Sequence, residues 1–351
     1  MERECRPTRG HLPDIPLTRP QAARFIGRYP YTGRGVATTA PARLRRERAR
    51  MELAIIGLGK MGGNMAERLL RAGHRVLGLD PNQESLARLA TAGGKACTSL
   101  AEVVKSMAGP RHVWLMIPAG DPVDAMIAQL LPMLSPGDCI IDGGNSNYKD
   151  SQRRAAALAA KGFHYVDCGT SGGVWGLANG YSLMIGGGKE PVERLRPIFE
   201  SLALGKNEGW GHVGPSGAGH FTKMIHNGIE YGMMQAFAEG FAILHKKKEL
   251  GLDLAQVAQV WQVGSVVRSW LLDLTAEALK QDQTLESIAP HVSDSGEGRW
   301  TVAEAIDLDV AAPVITLSLQ ARLRSRDGES YSDRMLAVMR NAFGGHSMQK
   351  H

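Results

Sequence analysis

One turn constrains the fold of this chain more than any other feature. The apolar run Leu53-Ala-Ile-Ile56 passes directly into Gly57-Leu58-Gly59-Lys60-Met61-Gly62, and a helical pattern opens near Gly63. A G-x-G-x-x-G alone says little, because glycines serve any tight turn. Here a strand precedes it, a helix follows, and an acid, Asp80, ends the next strand about 20 residues on, the arrangement of a dinucleotide-binding βαβ unit. The glycines let the backbone approach a pyrophosphate, whose charge sits at the helix N-terminus where free N–H groups point. Asp80 can accept hydrogen bonds from ribose hydroxyls and repels a 2′-phosphate. Pro81 and Asn82 supply no arginine to offset that repulsion, although Arg75 and Lys60 are cations that could fold back toward it. NAD is therefore favoured over NADP. The cofactor-binding residues expected at this turn are Gly57 through Gly62, Asp80 and Pro81.

The rest of the chain sustains this reading. Apolar runs at 53–56, 75–79, 113–117, 139–141 and 165–167 have the composition of buried parallel strands. Helical patterns at 64–72, 83–92 and 123–134 separate them, which is the rhythm of a doubly wound sheet. A further strand at 182–185 ends in Gly186-Gly-Gly188, and after about Gly219 only helical patterns follow, at 220–247, 254–263, 269–279, 300–306 and 313–322. The expected fold class is α/β: a Rossmann-type doubly wound domain over residues 51–219, then an all-helical domain over 220–346.

Residues 1–50 are of another kind. They mix Arg, Pro, Gly and Thr without apolar periodicity and read as a disordered leader, a mis-called start or a dispensable tail. Glu2, Glu4 and scattered prolines spoil the amphipathic helix of a transit peptide. The leader holds twelve arginines and four acids, a charge of +8, against +6 for the whole chain, so the remaining 301 residues carry −2. That balance removes the basic footprint expected of a nucleic-acid binder. No run approaches the roughly 18 apolar residues of a membrane span. Cys5, Cys97, Cys139 and Cys168 form no CxxC pair, which argues against a zinc site or disulfide framework and fits a reducing cytoplasm.

The most informative segment is Gly217-Ala-Gly-His-Phe-Thr-Lys223-Met-Ile-His226-Asn227-Gly-Ile-Glu230-Tyr231. Lys223, His226, Asn227, Glu230 and Tyr231 fall at i, i+3, i+4, i+7 and i+8, so they share the helix face that usually carries the buried apolar stripe. A wet polar cleft is implied. The plain alternative is a solvated face with a Lys-Glu pair, which contributes little. Against it stands Gly228, which costs about 1 kcal/mol relative to alanine inside a helix and makes sense where something must pack closely. Oxidising an alcohol needs a base for the hydroxyl proton as hydride leaves carbon, and a lysine depressed by burial can serve. Once protonated it polarises the new ketone, and if that ketone lies β to a carboxylate, carbon dioxide can leave without a metal. A second acid must then protonate the carbon, and Glu230 lies two turns along the same face.

At these residues the sequence resembles the 6-phosphogluconate dehydrogenase family, from Met51 to about His346. Gly57 to Gly62, Asp142-Gly-Gly-Asn145-Ser, Ser171-Gly172-Gly173, Gly217 to Tyr231 and Arg340-Asn-Ala-Phe-Gly-Gly-His346 match its motifs in order. The length after Met51 resembles the family's short form. The resemblance implies oxidative decarboxylation of 6-phosphogluconate to ribulose 5-phosphate in the pentose phosphate pathway, with Lys223 as base and Glu230 as acid. It implies that Ile117, Pro118 and Ala119 line the cofactor, that Asn145 binds it too and lies between nicotinamide and substrate, and that Ser171, Gly172, Gly173, His226 and Asn227 hold the sugar acid. Tyr231 and Arg322 would reach the phosphate, with Arg324 close enough to compete. Arg340 and His346 would cross into a neighbouring subunit's site, which makes a homodimer the minimum unit; the plain alternative is a solvated helix end. One departure concerns phosphate: longer members have a lysine where this chain has Ser295, ahead of Gly296-Glu-Gly298-Arg299-Trp300.

Two rival functions follow from the same residues. A β-hydroxyacid dehydrogenase of the same superfamily shares the glycine turn, the Ser-Gly-Gly turn and the Lys223/Asn227 pair, but would lack His226, Glu230 and Tyr231 as a set. A silent nucleotide- or nucleic-acid-binding protein acting through its basic leader would leave Lys223 and Glu230 as coincidence.

Overall fold

Residues 52–56 form the first strand because Leu53, Ala54, Ile55 and Ile56 are apolar on both faces and can be covered from both sides. The computed structural model describes residues 50–344, Ser347 and Gln349. The leader, up to residue 49, and His346 lie outside the described residues. In chain order the elements are β1 (Glu52–Ile56), α1 (Lys60–Arg71), β2 (Arg75–Leu79), α2 (Gln83–Thr91), β3 (Lys95–Ala96), α3 (Leu100–Lys105), β4 (His112–Leu115), α4 (Asp121–Leu130), β5 (Cys139–Asp142), α5 (Tyr148–Ala159), β6 (His164–Ser171), α6 (Gly176–Asn179), β7 (Ser182–Gly187), α7 (Lys189–Leu202) and β8 (Trp210–Gly214). Helices follow alone: α8 (Ala218–Lys246), α9 (Leu254–Trp261), α10 (Trp270–Gln281), α11 (Glu297–Asp307), α12 (Pro313–Arg324) and α13 (Tyr331–Gly344).

The eight strands make one sheet in the order β3-β2-β1-β4-β5-β6-β7-β8. Pairing is parallel from β3 to β6, and β7 reverses against β6 before β8 joins it in parallel. The order reverses between β1 and β4, the switch point outside whose carboxyl ends a dinucleotide binds in such sheets. One apolar layer, with Met65, Leu69, Leu89, Leu195 and Phe199, seats α1, α2 and α7 on one face. The other, with Val103, Val123, Ile127, Leu130 and Leu158, seats α3, α4 and α5 on the opposite face. A third cluster, around Phe241, Leu254, Ala258 and Leu272, joins α8, α9 and α10.

Several elements depart from the sequence expectation, each for a local reason. Helix α1 starts at Lys60 rather than near Gly63, since the third glycine of the turn is already helical. The core face of α5 presents Ser151 and Arg154 beside Leu158, so no apolar stripe marks it. Pro191 and Pro197 sit within α7 and disguise a regular stripe of Val192, Leu195, Ile198, Phe199 and Leu202. Strand β8 is Trp-Gly-His-Val-Gly, without alternation. Helix α13 exposes every residue from Tyr331 to Arg340.

Helix α8, 29 residues long, lies on β6, β7 and β8 at its start and against α11 and α12 further on. Its N-terminus is fixed by the fully buried Asp167, whose carboxylate accepts from Gly217 N at 2.7 Å and His220 N at 2.9 Å. Three glycines let it press on the strands: a Cβ on Gly169 would stand 2.4 Å from Lys223 Cβ, one on Gly186 2.7 Å from Gly219 N, and one on Gly219 2.4 Å from Met184 O.

Candidate active site

A cleft of about 1200 Å³ opens where the carboxyl ends of β4, β5 and β6 meet the first turns of α8. Twelve sequence-predicted residues line it: Met61, Ile117 and Asn145 from the cofactor side, Ser171, Gly172 and Gly173 after β6, Lys223, His226, Asn227, Glu230 and Tyr231 from α8, and Arg322 from α12. The polar stripe on α8 therefore faces a cavity rather than open solvent. Gly228 does have a close neighbour, but it is Thr301 of α11, whose Cγ2 lies 2.6 Å from the position of a Cβ. Thr301 Oγ1 also donates to Met224 O at 2.9 Å, so this glycine serves helix packing.

Within the stripe, Lys223 Nζ lies 3.3 Å from His226 Nδ1, which stands 3.3 Å from Asn227 Oδ1 and 3.7 Å from Glu230 Oε2. Lys223 and Asn227 are buried, whereas His226 and Glu230 are half-exposed. Burial pulls the Lys223 amine below the usual lysine range, and the carboxylates of Glu230 and Glu297 oppose it only in part. Burial, then the neighbouring Lys223, likewise holds the His226 imidazole below its ordinary value. Amine and imidazole are thus both biased toward their neutral, proton-accepting forms.

At the far end, Tyr231 is buried with the Arg322 guanidinium 3.4 Å from its ring centroid. Arg322 Nη1 donates to Ser293 O at 3.1 Å, and Tyr231 Oη accepts from Ser295 N at 3.4 Å. Arg324 is directed elsewhere, onto Asp333 and Ser330 Oγ, which leaves Arg322 as the arginine of the cleft. Arg340 is exposed on α13 and does not line this chain's own cleft.

The remaining predicted cofactor residues, Gly57, Leu58, Gly59, Lys60, Gly62, Asp80, Pro81, Pro118 and Ala119, lie at the carboxyl ends of β1, β2 and β4. Gly57 has φ +94, and a Cβ there would stand 2.3 Å from Met116 O. The Cβ position of Gly62 is 2.0 Å from Gly57 O, whereas that of Gly59 meets nothing within 4 Å. The first and third glycines thus close the turn and the second leaves its outer face open. No side chain caps α1, so its first N–H groups are available to an anion. Asp80 Oδ2 accepts from Leu58 N at 2.6 Å and Oδ1 from Asn82 N at 2.7 Å, which sets the carboxylate at the rim of the turn. Arg75 is held by Glu52 at the opposite end of β2. These residues fit a dinucleotide with its pyrophosphate at the turn.

Other residues lining the cleft escaped sequence reasoning, among them Thr170, Met116, Thr222 and, from α10, Trp270, Leu271 and Leu274. The period of α10 marks an apolar face but not whether that face meets core or cleft.

Comparison with known proteins agrees with the geometry. A family model described as the NAD binding domain of 6-phosphogluconate dehydrogenase matches residues 52–211, and one for the 6-phosphogluconate dehydrogenase C-terminal domain matches 219–350. The chain is 44% identical over 300 residues to a putative 6-phosphogluconate dehydrogenase of Bacillus subtilis, covering 86% of this chain and 100% of that one. It is 43% identical to an NAD(+)-dependent, decarboxylating 6-phosphogluconate dehydrogenase of Haloferax volcanii, covering 86% and 99%. Among solved structures, the Plasmodium falciparum 6-phosphogluconate dehydrogenase superposes with a TM-score of 0.73 at 29% identity, over 86% of this chain and 66% of that longer one. The 3-hydroxyisobutyrate dehydrogenase of Mycobacterium tuberculosis shares the fold, with a TM-score of 0.64 at 23% identity over 80% and 95%.

Proposed function

The chain belongs to the 6-phosphogluconate dehydrogenase family, and from that membership and the geometry of the cleft we propose that it oxidises and decarboxylates 6-phosphogluconate to ribulose 5-phosphate. A bound nicotinamide dinucleotide supplies the hydride acceptor. Neutral Lys223 takes the proton of the substrate hydroxyl as hydride leaves the same carbon, giving a ketone β to the carboxylate. The Lys223 ammonium then donates a hydrogen bond to the ketone oxygen. The bond to the carboxylate breaks, its electron pair enters the enol, carbon dioxide departs, and Lys223 returns its proton to the oxygen. Glu230 donates a proton to the carbon that lost carbon dioxide while Lys223 takes back the enol proton, which restores the ketone of ribulose 5-phosphate. Asn145, Ser171, Gly172, Gly173, His226 and Asn227 orient the sugar acid, and Tyr231 and Arg322 take the phosphate end.

The single observation that carries this reading is the buried, depressed Lys223 sharing one cleft with Glu230 and with Asn145 on the cofactor side. The test is stoichiometric: one carbon dioxide released per dinucleotide reduced with 6-phosphogluconate, compared with gluconate, each with NAD and NADP. Reduction without carbon dioxide would favour the β-hydroxyacid dehydrogenase reading. Asp80 at the rim of the turn, with Arg75 tied off by Glu52, supports NAD over NADP. We also read the chain as a homodimer whose C-terminal tail, with Arg340 and His346, completes the neighbouring site. The support is α13, which leaves Leu336, Val338 and Met339 at 54%, 52% and 45% exposure. Residues 51–219 and 220–346 are proposed as the two domains of a cytoplasmic enzyme, and residues 1–50 as dispensable for turnover. No helix among the described residues is long and apolar enough to cross a membrane.

A further inference from the structure

Arg154 lies on the core face of α5 at 2% exposure, where a guanidinium is rarely found unless fully paired. Every side of its fork is engaged. Nε and Nη2 donate to the two carboxylate oxygens of Asp124 at 2.9 and 3.0 Å, and Nη2 donates to Gly120 O at 3.0 Å. Nη1 lies 3.4 Å from both Asp142 Oδ2 and Ser146 Oγ.

These acceptors belong to two different segments, the loop after β4 with the first turn of α4, and the end of β5 with the loop that follows it. Gly120 and Asp124 follow Ile117-Pro118-Ala119 after β4, whereas Asp142 and Ser146 bracket Asn145 after β5. Asp142, fully buried, gathers the second loop: Oδ1 accepts from Gly144 N at 3.1 Å, and Oδ2 accepts from Ser146 Oγ at 2.8 Å and Tyr165 Oη at 3.0 Å. The loops also touch directly, since a Cβ on Gly144 would stand 3.0 Å from Ile117 O. Ile117 and Asn145 then face the cleft opposite Lys223.

We propose that Arg154 is a positioning residue, which holds the loop after β4 and the loop after β5 in one register and so sets the distance over which hydride moves. The inference rests on the reading of the cleft as a hydride-transfer site. Arg154 touches neither substrate nor cofactor in this scheme. It acts through Ile117 and Asn145, and the fork matters because one group must reach Asp124, Gly120 O and the Asp142–Ser146 pair at once. A lysine keeps the charge but cannot span them.

The test compares Arg154→Lys with Asp124→Asn, the latter altering a side chain that is 37% exposed and leaving α5 untouched. Readouts are kcat, KM for 6-phosphogluconate, affinity for NADH by fluorescence, and the deuterium isotope effect on kcat with substrate labelled at the carbon that loses hydride. Both variants are expected to lower kcat by about 10- to 100-fold, as for a displacement approaching 1 Å. The isotope effect should rise as hydride transfer becomes slower than the other steps, with KM and NADH affinity little changed. Folded variants with wild-type kcat and isotope effect would make Arg154 purely structural and overturn the proposal, however much melting temperature drops. A loss confined to KM or NADH affinity would overturn it as well. If Arg154→Lys does not fold, Asp124→Asn decides by the same criteria. Failure of the wild-type enzyme to reduce dinucleotide would sink the functional reading, whereas the variant-to-wild-type ratio bears on Arg154 alone.

Discussion

Gly169→Ala tests whether the cleft depends on how closely α8 lies against the sheet. The added Cβ would stand 2.4 Å from Lys223 Cβ and 2.7 Å from Gly219 O, where ordinary contact begins at 3.4 Å. The shortfall of about 1 Å must be absorbed by α8, because strand β6 is locked between β5 and β7. Overpacking of this kind costs about 1–3 kcal/mol of stability. Moving a catalytic group by about 1 Å can lower turnover roughly 10²-fold. Alanine is compatible with extended backbone, so the effect isolates the contact. The assay is steady-state formation of reduced dinucleotide, with NADH affinity measured by fluorescence. Turnover should collapse while affinity holds, since the glycine turn at Gly57 to Gly62 is untouched. Gly211→Ala on β8, whose Cβ would meet nothing within 4 Å, is the control and should behave as wild type. A Gly169→Ala enzyme with wild-type kcat would refute the claim that this close approach positions Lys223.

Three further outcomes are expected. Lys223→Met should abolish turnover and keep NADH affinity; because burial penalises the ammonium, it should match or exceed wild-type stability at pH 7. That advantage should shrink as pH rises from the depressed folded value toward 10.5, the range in which the unfolded chain binds the extra proton. In the wild type burial holds both the Lys223 amine and the His226 imidazole below their ordinary values, so kcat/KM should rise as Lys223 loses its proton below pH 10.5, and survival of that limb in a variant lacking the amine would remove the assignment. Glu230→Gln should slow protonation after decarboxylation, by about 10²-fold or more for loss of a general acid; an unchanged turnover number would take Glu230 out of the role. Arg340→Ala should raise KM far more for 6-phosphogluconate than for gluconate, by about 10-fold or more if a charged hydrogen bond is lost, and equal effects on both substrates would argue against phosphate contact.

Residues whose spacing reflects one helix or one turn were legible in the sequence. The offsets of Lys223, His226, Asn227, Glu230 and Tyr231 define a face, and the strand before Gly57 with Asp80 after it defines a switch-point turn. What could not be read is whatever depends on elements meeting from a distance. Arg154 gave no signal, because a charged residue on a Lys-Asp-Ser-Gln-Arg-Arg helix looks solvated until Asp124 and Asp142 are brought to it. Trp270, Leu271 and Leu274 gave only a helical pattern, which does not tell a cleft wall from core. Gly169, Gly186 and Gly219 were indistinguishable from turn glycines until the helix was laid over them. Gly228 was correctly taken as a mark of close packing, yet the packing partner is Thr301.

Helix α8 carries Lys223 to Tyr231 and the packing for α11 on the same stretch, where Thr301 meets Met224 and Gly228, and it runs without interruption from Ala218 to Lys246. A hinge needs a few residues free to change their backbone angles, and a continuous helix offers none. The pocket thus has a floor with no hinge within it. Any widening of the cleft then falls to its walls, which include Ser295 and α10, and substitutions there should alter the rate of product departure, measured by pre-steady-state kinetics, while leaving the chemical step intact.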